Sequence, residues 1–192
     1  MKIGAAVLAA GSSSRLGQPK QLLAFQGQTL VRRTAGAALG AGCAPVAVVV
    51  GSEREKIADS LHDLKVIILP NESWRRGIGT SIHAGVAALK DCDALIILVG
   101  DQPHVDATLI RQLVARHQET QKPMVASAYA GTLGVPALFG RSCFEQLLLL
   151  GDEEGAKVIL SARPNEVAQV DFPEGAVDID TSEDWARLGS AE

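Results

Sequence analysis

Aromatic side chains are scarce in this chain: four Phe, two Trp and one Tyr. So few rings leave little on which the bases of a single strand could stack. A basic excess is missing too. The formal net charge of −4 argues against a general binder of nucleic acid or of a membrane surface, since both attract Lys- and Arg-rich faces. Cysteine is sparse: Cys43, Cys92 and Cys143 stand far apart, with no C-x-x-C pair. Three cannot all pair within one chain, so a reducing compartment and a cytoplasmic location are expected. The three thiols are expected as packed small residues, not as nucleophiles or zinc ligands. No apolar stretch approaches the roughly 18–20 residues of a membrane helix. Met1-Lys2 followed by apolar residues 3–10 has the look of a signal peptide with a short core. Cleavage there would remove the strand that presents the next loop, so retention is expected.

What is present is a regular alternation. Apolar, often β-branched runs predict strands at 3–8, 46–50, 66–69, 94–99, 125–127, 135–139, 167–170 and 177–179. Helical spacing is found at 29–39, 53–61, 77–89, 106–117, 143–150, 153–160 and 182–188, with Thr29 and Asp106 as N-caps and Gly42 as a stop. Runs such as "VAVVV" suit parallel strands covered on both faces. The reading is α/β: one domain over residues 1–192, a three-layer α/β/α sandwich with a mainly parallel sheet. In such sheets ligands sit beyond the carboxyl ends of the strands. That rule selects the loops 9–21, 71–81 and 100–105.

The first loop follows "VLAAGSSSRLGQPKQLL". Gly11 and the small serines let backbone N–H groups come close to an anion. Arg15 can fork onto a phosphate, and Lys20 adds a point charge. The spacing is neither a Walker A loop nor G-x-G-x-x-G. A polyphosphate cradle is one reading; a solvated polar loop with two cations is the other. In "LVGDQPHV", Asp101 stands just past an apolar strand. There it can hold a hard cation such as Mg²⁺, or it can serve as a turn or capping residue. In "VDIDTSEDW", Asp178 and Asp180 point to opposite faces if extended, so one of them could face a metal. Thr181 to Asp184 are explained by a capped helix.

Together "LAAGSSSRLGQPKQLL", "NESWRRGIGTSIHAG", "LVGDQPHV", "GVPALFG", "LLGDEEGAK" and "DIDTSEDW" resemble the nucleotidyltransferases that activate the molybdenum cofactor. The likeness is closest to the cytidylyltransferase branch, related to molybdopterin guanylyltransferase. The motifs run in family order and span residues 3–185. The resemblance implies a Rossmann-like nucleotidyltransferase fold and a transfer of CMP from CTP to molybdopterin, giving the cytosine dinucleotide cofactor and pyrophosphate. It implies CTP and a molybdopterin-type cofactor as partners, a recipient molybdoenzyme, and Mg²⁺ as the metal. Arg15, Lys20 and Asp101 match the catalytic positions. Leu8, Ala9, Ala10, Gly11, Ser12, Arg15, Gln18, Lys20, Ser81 and Gly100 are the expected nucleotide contacts. Trp74, Arg75, Gly79, Thr80 and His83 are the expected acceptor contacts. Asp101 with Asp178 or Asp180 would hold the metal. The guanylyl branch tends to carry Gly-Gly where this chain has Ala9-Ala10, and Gly where it has Gln18, so the resemblance favours cytosine.

The implied chemistry is coherent. A phosphate is already a nucleophile at neutral pH, so the protein must supply position and charge neutralisation. Two alternatives stay open: the same reaction with GTP or another phosphorylated acceptor, and a non-catalytic cofactor chaperone. His104 reads as a loop histidine, and His62 and His117 as solvated helix residues. Trp74 could stack on a ring or anchor its loop. Arg75 and Arg76 could meet a phosphate or form an exposed charged face.

Overall fold

Alternate residues of the central strands enter two separate cores, and this period of two defines the architecture. The structure is a computed structural model and describes residues 1–12, 18–177 and 184–185. Its strands are β1 (Ile3–Ala9), β2 (Ala24–Phe25), β3 (Gln28–Thr29), β4 (Val46–Val50), β5 (Ile67–Pro70), β6 (Ala94–Val99), β7 (Met124–Tyr129), β8 (Thr132–Gly140) and β9 (Val167–Asp171). Its helices are α1 (Leu30–Gly40), α2 (Arg54–Ser60), α3 (Ile78–Ala88), α4 (Ala107–Thr120), α5 (Phe144–Leu148) and α6 (Lys157–Ala162). Ala5, Val7, Val46, Val48, Val50, Ile96 and Leu98 join one core with Val31, Ala35, Ile57, Leu109 and Leu113 of α1, α2 and α4. Ala6, Leu8, Ala47, Val49, Leu95 and Ile97 join the other with Ile82, Val86, Phe144, Leu147 and Ile159 of α3, α5 and α6. The sheet is therefore the middle of three layers, and its central strands are apolar on both faces because both faces are covered.

The sheet runs β5-β4-β1-β6-β8-β7-β9. β1 pairs in parallel with β4 and β6, β4 with β5, and β7 with β9; β8 alone is antiparallel to its neighbours β6 and β7. In register, Leu8 lies beside Val99 and Ala9 beside Val50. Val50 in turn lies beside Pro70, so the three loops that leave β1, β5 and β6 start at one level, at the carboxyl edge. Backbone bonds fix that level: Gly100 N donates to Leu8 O at 2.9 Å, Ser52 N to Ala10 O at 3.3 Å, and Asn71 N to Val50 O at 2.8 Å.

Several expected elements are corrected. The helix expected over 153–160 begins only at Lys157, because Glu154 turns back to accept from Gly151 N at 2.7 Å and holds 151–154 in a turn. The helix expected over 143–150 is a 3-10 turn, Arg141–Cys143, followed by α5. Residues 24–29 form the β2–β3 hairpin, with positive φ at Gln26 and Gly27, the pattern of a tight hairpin turn. Asp106 caps α4 as expected, accepting from Leu109 N at 2.8 Å, whereas Thr29 makes no side-chain cap bond. His117 is half-buried and pairs its Nδ1 with Lys122 O at 2.8 Å, so it ties off α4 instead of facing water. The expected strand 177–179 and helix 182–188 lie almost wholly outside the described residues. No helix among the described residues is long and apolar enough to cross a membrane.

Candidate active site

Beyond the ends of β1 and β6 lies a cavity of about 220 Å³, lined by Leu8, Ala10, Gly11, Gln21, Trp74, Gly77, Ile78, Ser81, Val99 and Asp101. Its residues come from all three loops at the carboxyl edge. Leu8 and Ala10 alternate with Ala9, whose side chain instead packs into the core beneath α1. Gly11 opens the loop, and its carbonyl accepts from Gln21 Nε2 at 3.1 Å and from Ser52 Oγ at 3.2 Å. Gln21 is only 6% exposed, so this bond is sheltered and holds the start of the loop against the 3-10 turn Lys20–Leu22. Lys20 begins that turn. Gln18 is exposed just before it.

The second wall depends on Asn71, at the end of β5. Its Nδ2 donates to Thr80 Oγ1 at 2.9 Å and to Ser81 Oγ at 3.0 Å, while its Oδ1 accepts from Ser73 N at 3.0 Å. Thr80 Oγ1 donates in turn to Gly77 O at 2.8 Å. Asn71, Thr80 and Ser81 are all buried. Such groups carry a large desolvation cost unless partnered, and here they partner one another. The network holds Ser81 at the cavity wall, with one acceptor site of its hydroxyl taken by Asn71.

Gly77 and Gly79 make the start of α3 a docking seam. Gly77 has φ 135°, a conformation open to glycine, and a Cβ there would come 2.3 Å from Asp152 O. A Cβ on Gly79 would lie 2.1 Å from Gly151 O, and Gly79 N donates to Asp152 O at 2.7 Å. Arg76 adds an ion pair to Asp152 at 2.5 Å. Gly79 and Thr80, expected at the acceptor, are thus engaged in holding the loop. The Gly100 N–H, expected at the nucleotide, is engaged with Leu8 O. His83 lies further along α3 and is half-buried; its Nε2 is shielded without a hydrogen-bond partner among the described residues.

A second cavity, about 210 Å³, adjoins the first and shares Leu8, Ile78 and Val99 with it. Ile82, Ile97, Tyr129, Gly134, Val135, Gly155, Ala156 and Lys157 complete it. The walls are largely apolar, with the Lys157 ammonium stem and the Tyr129 ring as amphipathic exceptions. Val135 O accepts from Tyr129 Oη and from Gln102 Nε2, each at 3.3 Å. Gln102 follows Asp101, so the same strand end that carries the carboxylate also braces the second cavity.

Asp101 is half-buried at the first cavity. Among the described residues no group of three or more His, Cys, Asp or Glu could hold a metal. The Asp101 carboxylate is an oxygen donor of the kind a hard divalent cation takes, such a cation filling its other positions with waters and phosphate oxygens. Arg15, Asp178 and Asp180, expected as cation and metal ligands, lie outside the described residues. Sequence reasoning gave no role to Gln21, Asn71 or Lys157. The first two act through bonds inside the protein; Lys157 closes the "LLGDEEGAK" motif, which was its only signal.

Residues 5–167 match the family described as "MobA-like NTP transferase domain". Nicotine blue oxidoreductase of Paenarthrobacter nicotinovorans is 29% identical over 196 residues, covering 95% of this chain and 94% of that protein. The crystal structure of Rv0371c from Mycobacterium tuberculosis H37Rv aligns with a TM-score of 0.84 at 25% identity, over 98% of this chain and 97% of that one. Rv0371c has also been solved in complex with manganese. A nucleotidyl transferase from Methanothermobacter thermautotroptrophicus, Mth528, aligns with a TM-score of 0.82 at 24% identity, over 99% of this chain and 97% of that one.

Proposed function

We propose that this chain, which belongs to the MobA-like NTP transferase domain family, moves CMP from CTP onto the terminal phosphate of a molybdopterin-type cofactor. The observation that carries the reading is one cavity walled jointly by Ala10, Gly11, Ser81 and Asp101. It brings a glycine-opened loop, a buried hydroxyl and a strand-end carboxylate to one place. The choice of cytosine and of the pterin acceptor rests on the motif resemblance.

In this reading the nucleotide occupies the first cavity, with its phosphates along the loop that leads from Gly11 to Lys20. Arg15 and Lys20 neutralise the triphosphate. Ser81, held by Asn71, offers its hydroxyl proton to the nucleotide. Asp101, with Asp178 or Asp180, holds Mg²⁺, which when bound supplies positive charge against the phosphates. The manganese complex of Rv0371c supports a divalent cation of this kind. The acceptor lies in the adjoining cavity, its apolar ring system against Ile82, Ile97 and Val135 and its phosphate near Lys157. An acceptor phosphate oxygen attacks the α-phosphorus; the bond to the bridging oxygen breaks, and pyrophosphate leaves with that oxygen. No proton has to move, so the side chains contribute alignment and charge.

The test is incubation of the protein with Mg²⁺, each of the four NTPs, and molybdopterin with or without molybdenum. Pyrophosphate release and the dinucleotide product are followed together. CTP-dependent formation of both is expected. Formation with GTP alone reassigns the nucleotide. Pyrophosphate with a different phosphorylated acceptor reassigns the acceptor, and nucleotide binding without turnover of any acceptor assigns a carrier role.

A further inference from the structure

Trp74 stands between two concavities. It lines the 220 Å³ cavity with Ala10, Ser81 and Asp101, and it lines a cleft of about 600 Å³ with Ser12, Gly51, Arg54, Lys56 and Arg75. Among the described residues it is the lining residue the two have in common. The indole packs against the chain at one place. Behind it is Gly51, where even a Cβ would come 2.7 Å from Trp74 Cγ and 2.5 Å from Ala10 O. Over its ring lies the Arg75 guanidinium, with Cζ 4.5 Å from the centroid, a cation–π contact that holds both groups. The 3-10 turn Trp74–Arg76 that carries them is pinned by Asn71 through Ser73 and by the Arg76–Asp152 ion pair.

We propose that Trp74 is the size filter for the nucleobase: it is the wall that admits a pyrimidine and stops a purine. The inference rests on the nucleotide occupying the first cavity, as in the reading above. Asp101 then takes the phosphate end, which leaves the base against Ala10, Ser81 and the indole. A purine carries a second fused ring, and with the base so placed that ring would meet Trp74, which lines the cavity. The void that could receive that ring exists, but on the far side of the indole. Removing the indole joins the cavity to the cleft, so base choice is relaxed without any new hydrogen bond being built. Trp74, expected from the motif as an acceptor contact, is on this reading a determinant of the donor.

Calorimetric binding of CTP, UTP, GTP and ATP with Mg²⁺ to wild type, Trp74→Phe and Trp74→Ala tests this. Steric exclusion of this kind is worth on the order of tenfold or more in affinity ratio. The pyrimidine-to-purine ratio should therefore fall by about tenfold in Trp74→Ala and by less in Trp74→Phe, with ATP gaining alongside GTP. A folded Trp74→Ala chain with the wild-type ratio overturns the filter. A gain for GTP without ATP also overturns it, because that pattern reports edge recognition and not size. In a Trp185→Phe chain the remaining tryptophan is Trp74, and its emission should change on CTP addition; calorimetric CTP binding with unchanged emission overturns the proposal without any change at position 74. A wild type that binds none of the four nucleotides overturns the nucleotide reading itself, and the filter with it.

Discussion

Asn71 donates its side-chain amide to Ser81 Oγ at 3.0 Å, tying the end of β5 to the first turns of α3. Both residues are buried, so the bond sets where the Ser81 hydroxyl points. Replacing Asn71 with Ala leaves two hydroxyls and the Ser73 N–H short of a partner. A loss of about 1–3 kcal/mol is expected for such buried groups. Urea unfolding should show that loss, and the KM for CTP should rise with it. Lower stability with an unchanged KM would mean that Ser81 keeps its place unaided.

Asp101→Asn removes the charge and keeps the shape. Because Asp101 is half-buried at the cavity and outside both cores, stability should change by less than about 1 kcal/mol. Turnover, followed as pyrophosphate release, should fall on the order of 10²-fold or more, as for other lost electrostatic stabilisers. Near-normal release by the folded variant would remove Asp101 from the mechanism.

Two glycines make opposite predictions. Gly79→Ala drives a methyl group towards Gly151 O, 2.1 Å from the ideal Cβ, and backbone cannot move aside as a side chain can. A cost of about 1–3 kcal/mol follows. Gly36 lies inside α1 with nothing within 4 Å of its Cβ position. Gly36→Ala should therefore stabilise the protein by about 0.5–1 kcal/mol, the usual gain in a helix interior. Thermal melts of the pair decide whether the seam at Gly79 is as tight as its geometry says.

Burial raises the Cys43 thiol to about 11. In the unfolded chain the same thiol ionises near its ordinary value of about 8.5. Below that value both states are protonated, and the group has no effect on stability. Between it and pH 11 the unfolded state sheds the proton first, so stability falls as pH rises through this window. Cys43→Ala should flatten that alkaline slope. Cys92 and Cys143 are buried free thiols too, and none of the three should react with a disulfide reagent at neutral pH until the chain unfolds.

The sequence made the parallel half of the sheet legible because its strands are covered on both faces. "VAVVV" and "ALIILV" had no polar alternative, and β4 and β6 occupy those residues. The far half was less legible. β8 runs on from the expected 135–139 to Thr132–Gly140, and its direction is decided by the tight turn at Ala130 and Gly131, both with positive φ. No periodicity encodes that reversal. At the site, the strand-end rule selected loops that do converge, since Ala10, Ser81 and Asp101 share a cavity. It could not separate residues that face the cavity from those that brace it. Gly79 and Gly100 look like ligand-side glycines in a motif, yet their N–H groups are taken by Asp152 O and Leu8 O. Asn71 and Gln21 look unremarkable because their partners are distant or backbone atoms.

The reversed strand β8 has a consequence for descent. Its first residues stand at the same edge where its neighbours end, and Gly134 and Val135 wall the second cavity while the first is built from β1, β6 and α3. Changes in the short turn before β8 can reshape one chamber and spare the other. A lineage can thus alter the second chamber through that turn and leave the lining of the first as it is.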